Sequence, residues 1–263
     1  MKPNHIRNIW QNKGFIVNGW CSIPSSFCAE VMAHMGWDSV CVDLQHGVID
    51  YQTAVTMLQG ICTTDVTPIA RVPWNDPALI MKMLDAGAYA IICPMINSRA
   101  EAERFVNACR YAPVGYRSSG PIRAALWAGD DYHAKANDVV LTFAMIETAV
   151  AVKNLDEILT TPGLDAIYIG PSDLSLTLGG KPGLDHTEGK VVGAIDTILA
   201  GCKRHGVRAG LHTGSPAYAK QMIAKGFDFV TLLNDSRILS AAGRKVVEDT
   251  KSITAQAKAG GVY

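Results

Sequence analysis

The sequence has no excess of either charge: its 263 residues hold 24 Lys and Arg against 24 Asp and Glu. It has no basic cluster either, which argues against a nucleic-acid partner or attachment to an anionic membrane surface. Long apolar runs are also missing. The longest are of strand length, well short of the ~18 residues that a membrane span needs, and the opening MKPNHIRNIWQNKG lacks the apolar core of a signal peptide. These absences predict a cytoplasmic chain acting on small molecules. Cysteine number is odd, at seven, and no CxxC pair occurs. Cys41, Cys62, Cys93 and Cys109 sit in apolar stretches, which suits reduced core thiols rather than disulfides or a zinc site. No Pro/Gly/Ser-rich linker divides the chain, so residues 1–263 are expected to form one domain of the size usual for a single α/β barrel.

What is present is an alternation of strand and helix patterns. After a polar N-terminal helix, strands are predicted at 14–23, 39–43, 67–72, 89–95, 139–146, 166–169, 208–211 and 227–233. Helical spacing lies between them at 24–35, 51–61, 77–85, 98–110, 148–159 and 188–205, and a last helix runs from Ser236. Residues 111–137 have no clear periodicity and read as a long loop, which in a compact domain usually carries function. A second Gly/Pro-rich loop spans 179–189. Eight strands alternating with helices predict a (β/α)8 TIM barrel. The alternative, a doubly wound open sheet, lacks the GxGxxG expected after its first strand.

The stretch 139–174 carries the chemistry. Residues 139–146 form an almost unbroken apolar run ending at Glu147, and residues 166–169 run into Gly170-Pro171-Ser172-Asp173. Parallel strands joined by a right-handed helix place these two ends side by side, on the face where α/β barrels hold their active sites. Glu147 and Asp173 should therefore converge. Beside them, the Gly170-Pro171 turn frees the N–H groups of Ser172 and Asp173, so the pair suits a hard divalent cation and an anionic ligand. Either carboxylate alone reads better as a helix N-terminal residue or cap. Both together, on consecutive strands, reverse that reading.

Other polar residues fall at strand ends and would share the same mouth: Trp20, Asp43, His46, Arg71 and His212. Taken singly, a strand-end His often caps backbone groups and a strand-end Arg often pairs with a carboxylate. Their common location points instead to a base, a cation and two metal-type carboxylates acting on a small keto acid. Trp20 and His212 read as pocket walls.

The runs RVPWNDP, GAYAIICPMI, RYAPVGYR, MIET and YIGPSDLS, with the C-terminal AGGVY, resemble the HpcH/HpaI family of metal-dependent class II pyruvate aldolases. The resemblance covers nearly the whole chain. It implies a TIM barrel assembled as a homohexamer with exchanged C-terminal helices. It further implies a bound Mg2+ or Mn2+, with Co2+ or Zn2+ as alternatives, and a reaction in which the enolate of pyruvate or an analogue makes or breaks a C–C bond with an aldehyde. Residue by residue, it implies that Glu147 and Asp173 are metal ligands and His46 the proton acceptor. Arg71 would stabilise charge on the keto oxygen, and the backbone at Ser172 and Asp173 would hold the carboxylate. Asp85, by pattern only the end of a helix, matches a position that raises the basicity of the histidine.

Two positions depart from the family pattern. Met145 stands where a substrate-contacting Gln is usual, two residues before Glu147, and the usual Asp-x-Glu-His is here Asp43-Leu44-Gln45-His46. Both bear on which substrate is used more than on metal-enolate chemistry. Two rival readings are a lyase acting on an acyl-CoA thioester, for which no CoA-binding basic patch is visible, and a catalytically silent barrel serving as a subunit. The latter is opposed by the retained Glu147, Asp173, His46 and Arg71.

Overall fold

The computed structural model describes residues 1–259, so the AGGVY run, beyond the backbone of its first residue, lies outside the described residues. Eight parallel strands close into a barrel in chain order. They are β1 (Ile16–Cys21), β2 (Ser39–Asp43), β3 (Thr67–Arg71), β4 (Ala90–Cys93), β5 (Leu141–Met145), β6 (Ala166–Ile169), β7 (Arg208–Thr213) and β8 (Phe229–Leu232). Closure comes from β8 pairing with β1, where Ile16 meets Phe229 and Asn18 meets Thr231.

The apolar strands carry two cores, because successive side chains point to opposite faces. Inward-facing Trp20, Cys41, Ile69, Ile92, Phe143, Met145, Tyr168 and Phe229 form the barrel filling. Outward-facing Val40, Val42, Ala70, Ile91, Ala144, Ile167 and Leu211 pack beneath the helices. A strand buried on both sides has no polar face to show, which is why these runs read as continuously apolar.

The helix His5–Gln11, polar on average, closes the bottom of the barrel. Ile6 and Trp10 are buried in the same inner cluster, and Trp10 lies 5.9 Å from Phe143 between ring centroids. Its N-cap Asn4 ties it down by donating to the carbonyls of Tyr89 and Val139.

Segment 111–137 is not a long loop. It contains the helix Ile122–Ala128 and most of the helix Tyr132–Val139, which takes up the first residue expected of the fifth strand. Helices of seven and eight residues are too short to establish a readable period. The segment is organised around Arg117, whose side chain is fully buried. Its guanidinium stacks on Tyr111 at 4.4 Å, donates to the Tyr132 hydroxyl at 3.1 Å and pairs with Asp85 at 2.7 Å. The helix expected over 148–159 is broken at Asn154 into Ala149–Lys153 and Leu155–Leu159, where the Asn154 amide turns to the carbonyl of Asn97. Among the described residues, no helix is long and apolar enough to cross a membrane, and all seven cysteines are free thiols.

Candidate active site

Parallel strands in a barrel deliver their C-terminal ends to one mouth, and each predicted residue is found there except Asp85. Asp43 and His46 follow β2, Arg71 ends β3, Met145 and Glu147 end β5, and His212 lies on β7. After β6, Gly170 is the N-cap of a short helix, Pro171–Thr177, so Pro171, Ser172 and Asp173 form its first turn. The fixed φ of proline suits that first position, where its missing N–H costs no bond. Two adjoining cavities open here. A recess of about 150 Å3 is lined by Met145, Glu147, Tyr168, Gly170, Ser172 and Asp173. An outer cavity of about 440 Å3 is lined by Trp20, Ser22, Asn234 and Arg237. His46, Arg71, Leu184 and His212 border both.

Arg71 and Asp43 form a buried fork. Arg71 donates from Nε to Asp43 Oδ1 at 2.8 Å and from Nη2 to Oδ2 at 2.6 Å, while its guanidinium lies 4.7 Å from the Trp20 ring. Asp43 also accepts the Trp20 indole N–H at 3.1 Å and the backbone N–H groups of Gln45 and His46 at 3.0 and 3.3 Å. Burial by itself would raise the Asp43 carboxyl, but the Arg71 fork and the Trp20 N–H outweigh it and hold the group below its ordinary value. Expected among the catalytic residues, Asp43 thus has its oxygens engaged within the protein. It aims Arg71 and shapes the turn that presents the exposed His46.

Glu147 is buried, and burial pushes its carboxyl up to about 7, with the nearby charge of Asp173 adding to the rise. One backbone donor opposes this: Met95 N–H reaches Glu147 Oε1 at 2.8 Å. Met95 holds a positive φ of 57° to do so, a conformation that costs a non-glycine residue on the order of 1 kcal/mol or more. The other carboxylate oxygen faces Gly170, where an added Cβ would stand 2.4 Å from Glu147 Oε2 and 3.1 Å from Met145 Cε. Glycine is required here for space, since its φ of −92° is open to any residue. A half-satisfied buried carboxylate, a second carboxylate beside it and a cradle kept clear of side chains fit a hard divalent cation bound through oxygen. No group of three or more His, Cys, Asp or Glu gathers for a metal among the described residues. Glu147 and Asp173 would therefore hold the ion with help from substrate and water, as Mg2+ and Mn2+ commonly are held.

Met145 is buried inside the barrel facing the recess, as strand alternation from Glu147 requires. His212 is half-buried, edge-on to Trp20 at 5.2 Å, and burial together with the Arg71 charge lowers its imidazole to about 4. Asp85 lies at the C-terminal end of the helix Pro77–Asp85, whose N-terminus follows β3 at the mouth. It therefore sits at the opposite end of its own barrel, paired with Arg117, and cannot reach its own His46.

Sequence reasoning passed over three residues. Tyr168 fills the barrel beneath the recess, stacked on Trp20 with centroids 5.8 Å apart. Its signal was a lone hydroxyl among aliphatics, in phase with Gly170 on the inward side. Leu184 comes from the loop 179–189, which Ser172 pins by donating to the Gly183 carbonyl. Met95 acts through its backbone N–H, for which no side-chain pattern is a guide.

The chain resembles known proteins over nearly its full length. It is 42% identical over 250 residues to a hydroxypyruvate/pyruvate aldolase of Rhizorhabdus wittichii, covering 95% of this chain and 100% of that protein. It is 35% identical over 226 residues to a 4-hydroxy-2-oxo-heptane-1,7-dioate aldolase of Escherichia coli, covering 85% of this chain and 86% of that one. A crystal structure of an HpcH/HpaI aldolase/citrate lyase family protein from Burkholderia cenocepacia superposes with a TM-score of 0.87 at 30% identity, over 94% of this chain and 99% of that one. The family model for HpcH/HpaI aldolase/citrate lyase matches residues 19–242, a span that contains all the strand-end residues lining the two cavities. A carbon–carbon lyase barrel with its acidic pair at the ends of β5 and β6, this chain belongs to the HpcH/HpaI aldolase/citrate lyase family.

Proposed function

We propose that this chain makes or cleaves the C–C bond between pyruvate or hydroxypyruvate and an aldehyde, acting on 4-hydroxy-2-oxo acids. The observation that carries the reading is the convergence on one recess of Glu147, Asp173, Arg71 and His46, two acids, a cation and an exposed imidazole from four different strand ends. A bound divalent ion, Mg2+ or Mn2+ with Co2+ or Zn2+ as alternatives, would polarise the keto oxygen as a Lewis acid. Arg71, held rigid by Asp43, would place a second positive group at that oxygen as negative charge develops on it. The first-turn N–H groups at Ser172 and Asp173 suit the substrate carboxylate. His46, on the open side of the recess, would take the proton from the carbon next to the keto group and return it to the new alkoxide.

The test is hydrogen exchange of pyruvate in D2O, which needs enolisation but no aldehyde. The wild type should exchange its methyl protons, and His46→Ala should slow exchange by about 10²-fold, the usual scale for losing a general base. An undiminished rate would assign the proton transfer to another group.

Position 145 is expected to tune the donor. A thioether gives a softer wall than the amide usual in the family and neither donates nor accepts strongly. One hydrogen bond is worth about 0.5–1.5 kcal/mol, so Met145→Gln should keep metal affinity and shift the ratio of kcat/KM for hydroxypyruvate over pyruvate by several-fold. Equal ratios in the two proteins would show that this side chain does not touch the donor.

We further infer a cytoplasmic homo-oligomer, with a hexamer as the family's usual form, in which Asp85 of one copy approaches His46 of another. The helix Asp235–Ala259 supports assembly, since Leu239, Val246 and Val247 are each more than half exposed on it. Light scattering coupled to an activity assay should find turnover only in the oligomeric fraction. A fully active monomer would remove Asp85 from the site.

A further inference from the structure

A polar relay runs up the barrel interior to the mouth, and the roles assigned above leave it unused. Ser39 Oγ donates to Asn18 Oδ1 at 2.7 Å, and Asn18 Nδ2 donates to Thr231 Oγ1 at 3.0 Å. The Thr231 hydroxyl hydrogen-bonds the Tyr168 phenol, whose oxygen is 2.9 Å from Nδ1 of His212. Asn18, Ser39 and Thr231 are completely buried and Tyr168 nearly so, which makes each unmade bond expensive.

The direction of the relay follows from the first link. An amide NH2 only donates, so Thr231 Oγ1 accepts from Asn18 and passes its single proton to the phenol oxygen. That oxygen, having accepted, turns its own proton toward His212 Nδ1. A neutral imidazole carries one N–H, so the hydrogen of His212 is left on Nε2. Burial keeps the ring neutral, lowered to about 4.

His212 also stands where the two cavities meet, together with His46, Arg71 and Leu184. On the reading above, the keto acid fills the inner recess and the aldehyde arrives through the outer cavity, so the new bond forms at this boundary. His46 moves the proton there, Arg71 is committed to Asp43 and the keto oxygen, and Leu184 is apolar. We propose that His212 Nε2–H donates a hydrogen bond to the carbonyl oxygen of the acceptor aldehyde, and that Tyr168, Thr231 and Asn18 are positioning residues that hold it in that tautomer. As the enolate carbon bonds to the aldehyde carbon, the carbonyl π pair moves onto oxygen, and the proton that His46 removed returns to that oxygen. His212 gives up no proton; it steadies the charge as it forms. This inference rests on the aldolase reading.

The experiment compares two rates on one protein: pyruvate exchange in D2O, which involves no acceptor, and addition of pyruvate to propanal, an uncharged aldehyde. His212→Phe should lower addition about 10²-fold more than it lowers exchange, the scale for losing one oxyanion donor. His212→Gln, which retains an N–H, should recover most of that gap. Tyr168→Phe keeps the ring but releases the tautomer, so it should open the same gap to a smaller extent. Nitrogen-15 NMR of His212 should report the Nε2–H form in the wild type and a mixture in Tyr168→Phe. Equal losses of both rates in His212→Phe, or an Nδ1–H tautomer in the wild type, would overturn the proposal. A wild type that exchanges no protons would instead overturn the aldolase reading, while the tautomer assignment would still be decided by NMR.

Discussion

Glu147→Ala is expected to reduce aldol cleavage by about 10³-fold or more while leaving the barrel folded, and treatment of the wild type with EDTA should do the same reversibly. Losing the metal forfeits several kcal/mol of charge stabilisation at the keto oxygen, which sets that scale. The fold should survive because the carboxylate contributes nothing to the apolar filling and accepts one backbone N–H, from Met95. Its pH behaviour gives a second check. The metal-free carboxyl titrates near 7, above the ordinary 4.5, so between those values the folded state holds a proton that the unfolded chain has lost. Stability then falls as pH rises through that window. Metal-free wild type should lose Tm between pH 5 and 8 relative to Glu147→Gln, which cannot ionise, and added Mn2+ should restore it most at the higher pH, where the ligand is already deprotonated. Gly170→Ala should imitate the metal loss, because its methyl would stand 2.4 Å from Glu147 Oε2. Full activity of metal-free protein, or of Gly170→Ala at low metal, would remove the acidic pair from its role.

Arg71→Ala should damage both stability and rate. Asp43 is 2% exposed, and removing its fork leaves a buried charge with only neutral donors, a change that typically costs about 3–5 kcal/mol. Catalysis should fall by about 10²–10³-fold through loss of the cation at the developing oxyanion. The two effects are separable. Adding Asp43→Asn to Arg71→Ala should recover a large part of the Tm without recovering turnover, and a double-mutant cycle would give the coupling. Arg71→Lys should retain charge but not the two-point geometry, leaving activity well below wild type. If the double variant regained turnover together with Tm, Arg71 would be structural and the oxyanion would need another cation.

Much of this was legible before any coordinates. The eight apolar runs with polar residues at their ends gave the barrel and its mouth, because a parallel strand covered on both faces must be apolar until it emerges. Glu147, Asp173, His46 and Arg71 could be assigned to one site from the order of strands alone. Strand boundaries were less legible. Residues 227–228 and 233 were expected in β8, which closes over Phe229–Leu232, because the apolar pattern continues past the last ladder bond.

The alternation of strand and helix, the strand ends that carry acid, base and cation, and the inward direction of Met145 were determined by the sequence itself, since they depend on periodicity and chain direction. Tertiary structure decided the rest. The closed ring set Asn18 beside Thr231, residues 213 positions apart, and so fixed the hydrogen-bond direction that reaches His212. It gave Asp43 five donors, turning an apparent catalytic acid into the anchor of Arg71. It folded the patternless segment 111–137 around a buried Arg117 and placed Asp85 at the far end of its own barrel. Hydrogen bonds and ion pairs are contacts in space between groups whose separation along the chain obeys no period, so local pattern carries no record of them until the barrel has closed.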